Sequence, residues 1–182
     1  MKIATSLSII LGVFLALVHS FEIPQDGLFR ANFGSGSVGK VEMLALHNPN
    51  ETVQPALPPS SSQELPQPLP INKHKCFWQK FLNGNDYELS IKMLRQHCAD
   101  THNIIGSKDI FGYQVGSSVA YMCNYGNPIE CLPWELDDDM KFLDDTCQQS
   151  LVAGWVFHHH VRKTYGRDLT SEYICGNIKG GT

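Results

Sequence analysis

VAYMCN at residues 119–124 and EYICGN at residues 172–177 are two versions of one short segment, and a stretch with helical spacing precedes each of them. In both stretches three apolar residues and a cysteine recur at intervals of four, three and four, which places them on one face of a helix. The two sets are Tyr87, Ile91, Leu94, Cys98 and Leu136, Met140, Leu143, Cys147. The repeat predicts a helix followed by a cysteine-bearing strand, twice.

Further strand-like segments surround this repeat. Residues 113–115 and 151–157 are rich in β-branched and aromatic side chains and are predicted strands, whereas residues 164–168 have the composition of a turn. The last strand is expected at residues 172–175. The resulting order, αββαββ, predicts an α+β module in which two helices pack on one face of an antiparallel sheet.

The chain contains six cysteines, and all of them lie between residues 76 and 175. The nearest pair in sequence is eight residues apart, so the C-x-x-C spacing typical of zinc sites does not occur, and three disulfides are expected. Sequence alone does not choose the pairing, although a helix-to-sheet disulfide in each half, or one crossed between the halves, would fit. The predicted disulfide residues are Cys76, Cys98, Cys123, Cys131, Cys147 and Cys175.

The N-terminal residues indicate secretion. Residues 1–20 carry Lys2, an apolar run and small residues before Phe21, which is the pattern of a signal peptide. The apolar run is shorter than the roughly 20 residues of a spanning helix, so no stable membrane insertion is expected. We therefore predict a secreted, extracellular protein.

Domain boundaries follow from composition. Residues 21–71 include a proline-rich run and are predicted to be a disordered spacer or pro-segment. Within them, Asn50 begins an N-x-T sequon, a candidate glycosylation site. Residues 72–178 are the predicted six-cysteine globular module, and residues 179–182 a flexible tail.

The charge balance is mildly acidic, with 14 Lys and Arg against 18 Asp and Glu. A nucleic-acid-binding domain usually has a strong basic excess, so a nucleic-acid partner is not favoured. No cofactor is predicted. Acidic residues 137–139 and 144–145 lack the alternating ligands and central glycine of a calcium loop, and a solvated helix face is the favoured interpretation.

One basic, histidine-rich segment is the candidate for chemistry. In a continuous strand His158 and His160 would share a face, and with Arg162 they could act as the acid–base pair and cation of a nuclease. A metal site would need His158 and His160 together with His97 or His102. The favoured interpretation is an exposed polar strand end, because no carboxylate close in sequence would orient either ring.

The cysteine-rich module resembles the small secreted cysteine-rich proteins of filamentous fungi, many of which are candidate effectors of plant-associated species. The resemblance covers about Cys76 to Cys175 and depends on three segments, at residues 119–125, 153–157 and 163–167. A more distant similarity is to the α/β-sandwich killer toxins of smut fungi and to extracellular necrosis-inducing effectors. The resemblance implies secretion and interaction with a host or a competitor. It carries over no active site.

Three functions follow as hypotheses. The first is a secreted interaction protein that acts on an unknown host or competitor macromolecule without catalysis. The second is a small secreted nuclease that uses the basic histidine segment. The third is a toxin-like antimicrobial protein, against which the acidic composition weighs because direct membrane disruption favours a basic amphipathic helix.

Overall fold

Nine strands and two helices lie within the residues that the computed structural model describes, which are 23–34, 37–50, 67–100, 103–147, 151–170 and 174–175. In chain order they are β1 (Gly27–Gly34), β2 (Ser37–Leu46), β3 (Lys73–Phe81), α1 (Gly84–Ala99), β4 (Ile104–Ile105), β5 (Asp109–Val115), β6 (Ser118–Asn124), β7 (Ile129–Glu130), α2 (Pro133–Thr146), β8 (Val152–His158) and β9 (Lys163–Leu169).

Seven of the strands form one antiparallel sheet in the order β2-β1-β5-β6-β9-β8-β3, and β4 pairs with β7 in a small second sheet. The long sheet therefore ends at β2 on one side and at β3 on the other. The α+β class predicted from the sequence is confirmed.

Side-chain alternation along β6 divides the core into two clusters. Ala120 and Met122 belong to a cluster that also contains residues of α1 and α2, whereas Val119, Tyr121 and Cys123 belong to a second cluster. Both helices contribute apolar side chains at the spacing seen in the sequence, which explains why they form: each covers a stripe of the sheet. The helical members are Tyr87, Met93, Leu94, Cys98, Leu136, Met140 and Leu143.

The predicted order αββαββ differs from the observed order βββαββββαββ, because β1, β2 and β3 extend the ends of the long sheet and β4 and β7 form the second sheet. Residues 164–168, predicted as a turn, lie within β9, between β6 and β8. Their backbone pairs on both sides, and Gly166 lets the Tyr121 ring approach so closely that an added Cβ would lie 2.4 Å from the ring. Ile174 and Cys175 are not in a strand, and the rest of the predicted last strand lies outside the described residues.

The prediction that residues 21–71 are disordered is wrong for β1 and β2. These strands form a hairpin, and β1 pairs with β5 of the long sheet. Phe29 and Ala31 are buried in the second cluster, so this hairpin covers apolar surface. The module boundary at residue 72 remains a prediction. Residues 1–20 and 179–182 lie outside the described residues.

The six cysteines form three disulfides, as predicted: Cys76–Cys147, Cys98–Cys131 and Cys123–Cys175. The first joins β3 to the end of α2, so one helix-to-sheet bridge is present. The other helical cysteine, Cys98, bonds to Cys131 in the segment before α2, and Cys123 bonds outside the helices. A helix-to-sheet disulfide in each half is therefore wrong. Three disulfides fit a small secreted disulfide-rich protein.

Candidate functional site

The structure separates the three residues of the candidate nuclease site. His158 is the last residue of β8 and only 2% exposed, whereas His160 and Arg162 are exposed in the turn before β9. Alternation stops where the strand ends, so the prediction that His158 and His160 share a face is wrong. Among the described residues no group of three or more His, Cys, Asp or Glu side chains could hold a metal, and His102 lies outside them.

His158 is instead part of a buried dyad with Asp139 of α2. Its Nε2 lies 2.6 Å from Asp139 Oδ2, and its Nδ1 lies 3.2 Å from the carbonyl oxygen of Pro70. A carbonyl can only accept, so Nδ1 carries a proton. The short contact at Nε2 then requires a second proton between the imidazole and the carboxylate. The dyad is either an imidazolium–carboxylate pair or a neutral histidine beside a protonated aspartate.

The pKa values of both dyad members are raised. Burial raises the pKa of Asp139, and the hydrogen bond from His158 opposes that shift only in part. Burial lowers the pKa of His158, but the hydrogen bond and the negative charge of Asp139 outweigh it. The folded protein therefore holds the shared proton more tightly than separate, solvated side chains would.

Two further ion pairs continue this network along α2. Lys163 Nζ donates to Glu135 Oε2, and the hydroxyl of Tyr165 donates to the same oxygen at 2.9 Å. Lys163 is 1% exposed and Glu135 is 5% exposed. Burial and the charge of Glu135 raise the pKa of Tyr165 well above its usual value, so the phenol stays protonated and keeps donating.

The third pair joins the far end of α2 to β9. Arg167 is fully buried, and its Nη1 donates to Asp144 Oδ1 at 2.6 Å and to the hydroxyl of Tyr87 in α1 at 3.1 Å. Its Nε donates to the carbonyl oxygen of Val152 at 2.9 Å. One guanidinium thus connects both helices and two strands.

Three basic side chains of the β8–β9 hairpin therefore face three acidic side chains of α2: His158 with Asp139, Lys163 with Glu135, and Arg167 with Asp144. Such pairs contribute little net stability over apolar packing, because desolvation offsets the attraction. They strongly penalise the loss of one partner. The network thus fixes how α2 sits on the hairpin.

The prediction of a solvated helix face at residues 137–139 and 144–145 is wrong for Asp139, which is buried, as is Glu135 one turn earlier. Asp137 and Asp138 are exposed as predicted, and Asp137 pairs with Arg95 at 2.8 Å. The signal for Asp139 was present: it lies three residues after Leu136 and four before Leu143, within the apolar stripe of the helix. Its partner His158 could not be identified, because His158 lies 19 residues later in the chain, at the end of β8.

A groove lies beside the dyad, between α2 and the segment at residues 68–71. Its volume is about 250 Å³. Apolar side chains from both segments line it, the helical ones being Trp134 and Phe142, and His158 and Asp139 also belong to its lining. Asp138 and Asp145 add carboxylates to its lining.

The dyad predicts a pH dependence of stability. Both raised pKa values mean that the folded state binds more protons than the unfolded state. Stability therefore falls as pH rises from the unfolded pKa of His158 through its raised folded pKa, at up to about 1.4 kcal/mol per pH unit for one proton. The raised pKa of Asp139 causes a loss of stability of the same sign. This loss begins at a lower pH, because the unfolded pKa of Asp139 is lower than that of His158.

Thermal unfolding of the oxidised protein between about pH 5 and 9 measures this slope. Glu135 and Lys163 also face the dyad and remain paired in His158→Gln/Asp139→Asn, so the difference between wild type and this double variant isolates the two titrating groups of the dyad. A double-variant profile as steep as the wild-type profile would contradict the prediction.

Asn50, the candidate glycosylation residue, is exposed in a turn after β2, while Glu51 and Thr52 of its sequon lie outside the described residues. None of the helices within the described ranges has the length and apolar character needed to cross a membrane. Comparison of the chain with known protein families, with characterised proteins and with solved structures finds no match.

Proposed function

We propose that this chain is a secreted, disulfide-stabilised interaction protein of the effector type, which acts on a host or competitor macromolecule by binding it rather than by catalysis. The observation that carries the proposal is the edge strand β3. Within the described residues β3 is hydrogen-bonded on one side only, to β8, and it exposes two large aromatic side chains, Trp78 (53%) and Phe81 (56%).

An unpaired strand edge offers backbone donors and acceptors to a further strand, and exposed aromatic side chains add contact area. Proteins commonly protect such edges, so an aromatic one is a candidate binding surface. The Cys76–Cys147 disulfide anchors β3 to α2 and holds the edge in place. A rigid edge loses less conformational entropy on binding.

The charge of β3 indicates the chemistry of the partner. Lys75 and Lys80 lie with their ammonium groups 4.9 and 4.7 Å from the centre of the Phe77 ring. Lysines along an edge discourage pairing with a second copy of the same strand, because like charges would face each other. Lys80 Nζ also lies 3.6 Å from Asp168 Oδ1, so the attraction for an acidic strand is attributed mainly to Lys75. The proposed occupant is therefore an extended, acidic segment of the partner that adds to the sheet beside β3.

The test is capture of partners by the oxidised protein from extracts of candidate host tissue and of competing microbes. We compare the wild type with Trp78→Ala/Phe81→Ala. The matched control is Leu44→Ala/Leu46→Ala, which removes two exposed apolar side chains from the opposite edge strand. A partner bound through β3 should bind the first variant at least about tenfold more weakly, as expected for aromatic interface residues.

The same partner should bind the Leu44/Leu46 variant as it binds the wild type, and its affinity should fall as salt rises because salt screens the charges. Unchanged binding by the Trp78/Phe81 variant, or a salt-independent affinity, would contradict the proposed surface. Catalytic turnover of a captured macromolecule would contradict the proposed function itself.

A further inference from the structure

A second surface, on the helix side of the sheet, has a different chemistry. The groove between α2 and residues 68–71 combines aromatic walls with negative charge. Trp134, Asp138 and Phe142 follow one another at intervals of four residues and so lie on one side of α2, facing Leu69 and Ile71 across the groove.

The net charge of the groove lining favours a cationic ligand. The lining contains four carboxylates, Glu135, Asp138, Asp139 and Asp145, and two basic side chains, Lys141 and His158. Glu135 pairs with Lys163, Asp139 pairs with His158, and Asp145 pairs with Lys141 at 2.6 Å. Asp138 remains as the excess negative charge.

These same residues disfavour an anionic ligand. The N-terminus of α2 would attract an anion through the helix dipole, but that effect amounts to about half an elementary charge and fades within the first turn. An anion in the groove would be close to the carboxylates of both Asp138 and Asp145. The electrostatic balance at this site therefore favours a positively charged ligand.

The volume of the groove and its aromatic side chains indicate which kind of cation it would bind. A volume of about 250 Å³ is below the roughly 300–1,000 Å³ of typical small-molecule sites, so the groove suits one side chain rather than a large ligand. A planar guanidinium can stack on an indole and also form a fork of hydrogen bonds to a carboxylate, which an ammonium cannot. Trp134 and Asp138, one turn apart, offer both contacts.

We propose that the groove between α2 and residues 68–71 binds an arginine side chain of a partner, with the guanidinium stacked on Trp134 and paired with Asp138, and with the methylene stem against Phe142 and Leu69. This site goes beyond the β3 edge and does not depend on it. A partner could use either surface alone.

The test uses small probes, so that it does not require the partner to be known. N-acetyl-arginine amide is titrated into the oxidised full chain, and binding is followed by the amide and side-chain shifts in NMR. N-acetyl-citrulline amide, which has nearly the same shape without the charge, is the matched ligand. We expect arginine to bind with a dissociation constant of about 1 mM, a typical value for so small a ligand, and citrulline at least about fivefold more weakly.

Substitutions inside and outside the groove test whether arginine binds there. Trp134→Ala should weaken arginine binding about tenfold, because it removes the stacking surface. Asp138→Asn should weaken it about threefold, the range of an exposed ion pair. Glu88→Gln removes an equivalent exposed carboxylate from α1 and should change nothing. Lys141→Gln should strengthen binding, because it removes a competing positive charge from the lining.

Three results would overturn the proposal. These are equal affinity for citrulline and arginine, equal affinity for N-acetyl-lysine amide and arginine, and unchanged binding by folded Trp134→Ala and Asp138→Asn proteins. Each of them leaves the β3 test unaffected, since no small cation takes part in that experiment.

Discussion

Replacing Glu135 by Ala should lower the free energy of unfolding by about 3–5 kcal/mol, the cost of breaking a buried ion pair by removing one partner. Lys163 is 1% exposed and would keep its charge without the carboxylate that compensates it, and Tyr165 would lose the acceptor of its buried hydroxyl. Urea unfolding of the oxidised protein measures the change.

Two control variants test whether the loss of stability comes from the burial of the ion pair or from the removal of a carboxylate alone. Asp137→Ala removes another carboxylate from α2, but its partner Arg95 is exposed and the pair is solvated, so the loss should be at most about 1 kcal/mol. Glu135→Leu combined with Lys163→Met removes both buried charges and should restore much of the stability. A Glu135→Ala loss no larger than that of Asp137→Ala would show that the pair is not desolvated.

These residues also show which features of the fold could be predicted from the sequence. Periodicity predicted both helices and their apolar stripes, because Leu136, Met140 and Leu143 interact with the core in the same way in any fold of this class. The even number of cysteines predicted three disulfides. The pairing required knowledge of which segments are neighbours in space, and β3, whose Cys76 bonds to Cys147, was not among the predicted strands.

The missed strands had weak local signals for identifiable reasons. In β9, Lys163 and Arg167 point toward α2 and Gly166 accommodates the Tyr121 ring, so none of the three has the apolar character of a strand residue. Lys163 and Arg167 can be buried on the helix side of the sheet because α2 supplies acidic partners for both. A composition-based interpretation as a turn could not foresee that tertiary compensation.

The prediction for His158 and His160 also lacked information on which distant segments are neighbours in space. His158 and His160 appeared equivalent because the end of β8 could not be placed, and the carboxylate that orients His158 lies 19 residues earlier in the chain. A buried histidine paired with a buried aspartate fixes α2 on the hairpin. An exposed His160 in a turn has no such constraint, and the two should tolerate replacement very differently.

Removing the Cys76–Cys147 disulfide should lower the free energy of unfolding by about 4 kcal/mol, because it frees the unfolded chain from a cross-link that closes a long loop. The two cysteines are 71 residues apart, the widest separation of the three disulfides. We propose the replacement of both by Ala, so that no free thiol can exchange with the remaining disulfides, and urea unfolding as the measurement.

The location of the lost stability is as diagnostic as its size. β3 is an edge strand paired only with β8 among the described residues, and Cys76 is its covalent link to α2. Hydrogen exchange should therefore accelerate first in the amides of β3, while β5 and β6 at the centre of the sheet keep their protection up to global unfolding. In Cys123→Ala/Cys175→Ala, which leaves the β3 anchor intact, β3 should not become selectively exposed. Uniform acceleration across the sheet in the Cys76/Cys147 variant would mean that β3 is held by its backbone pairing rather than by the cross-link.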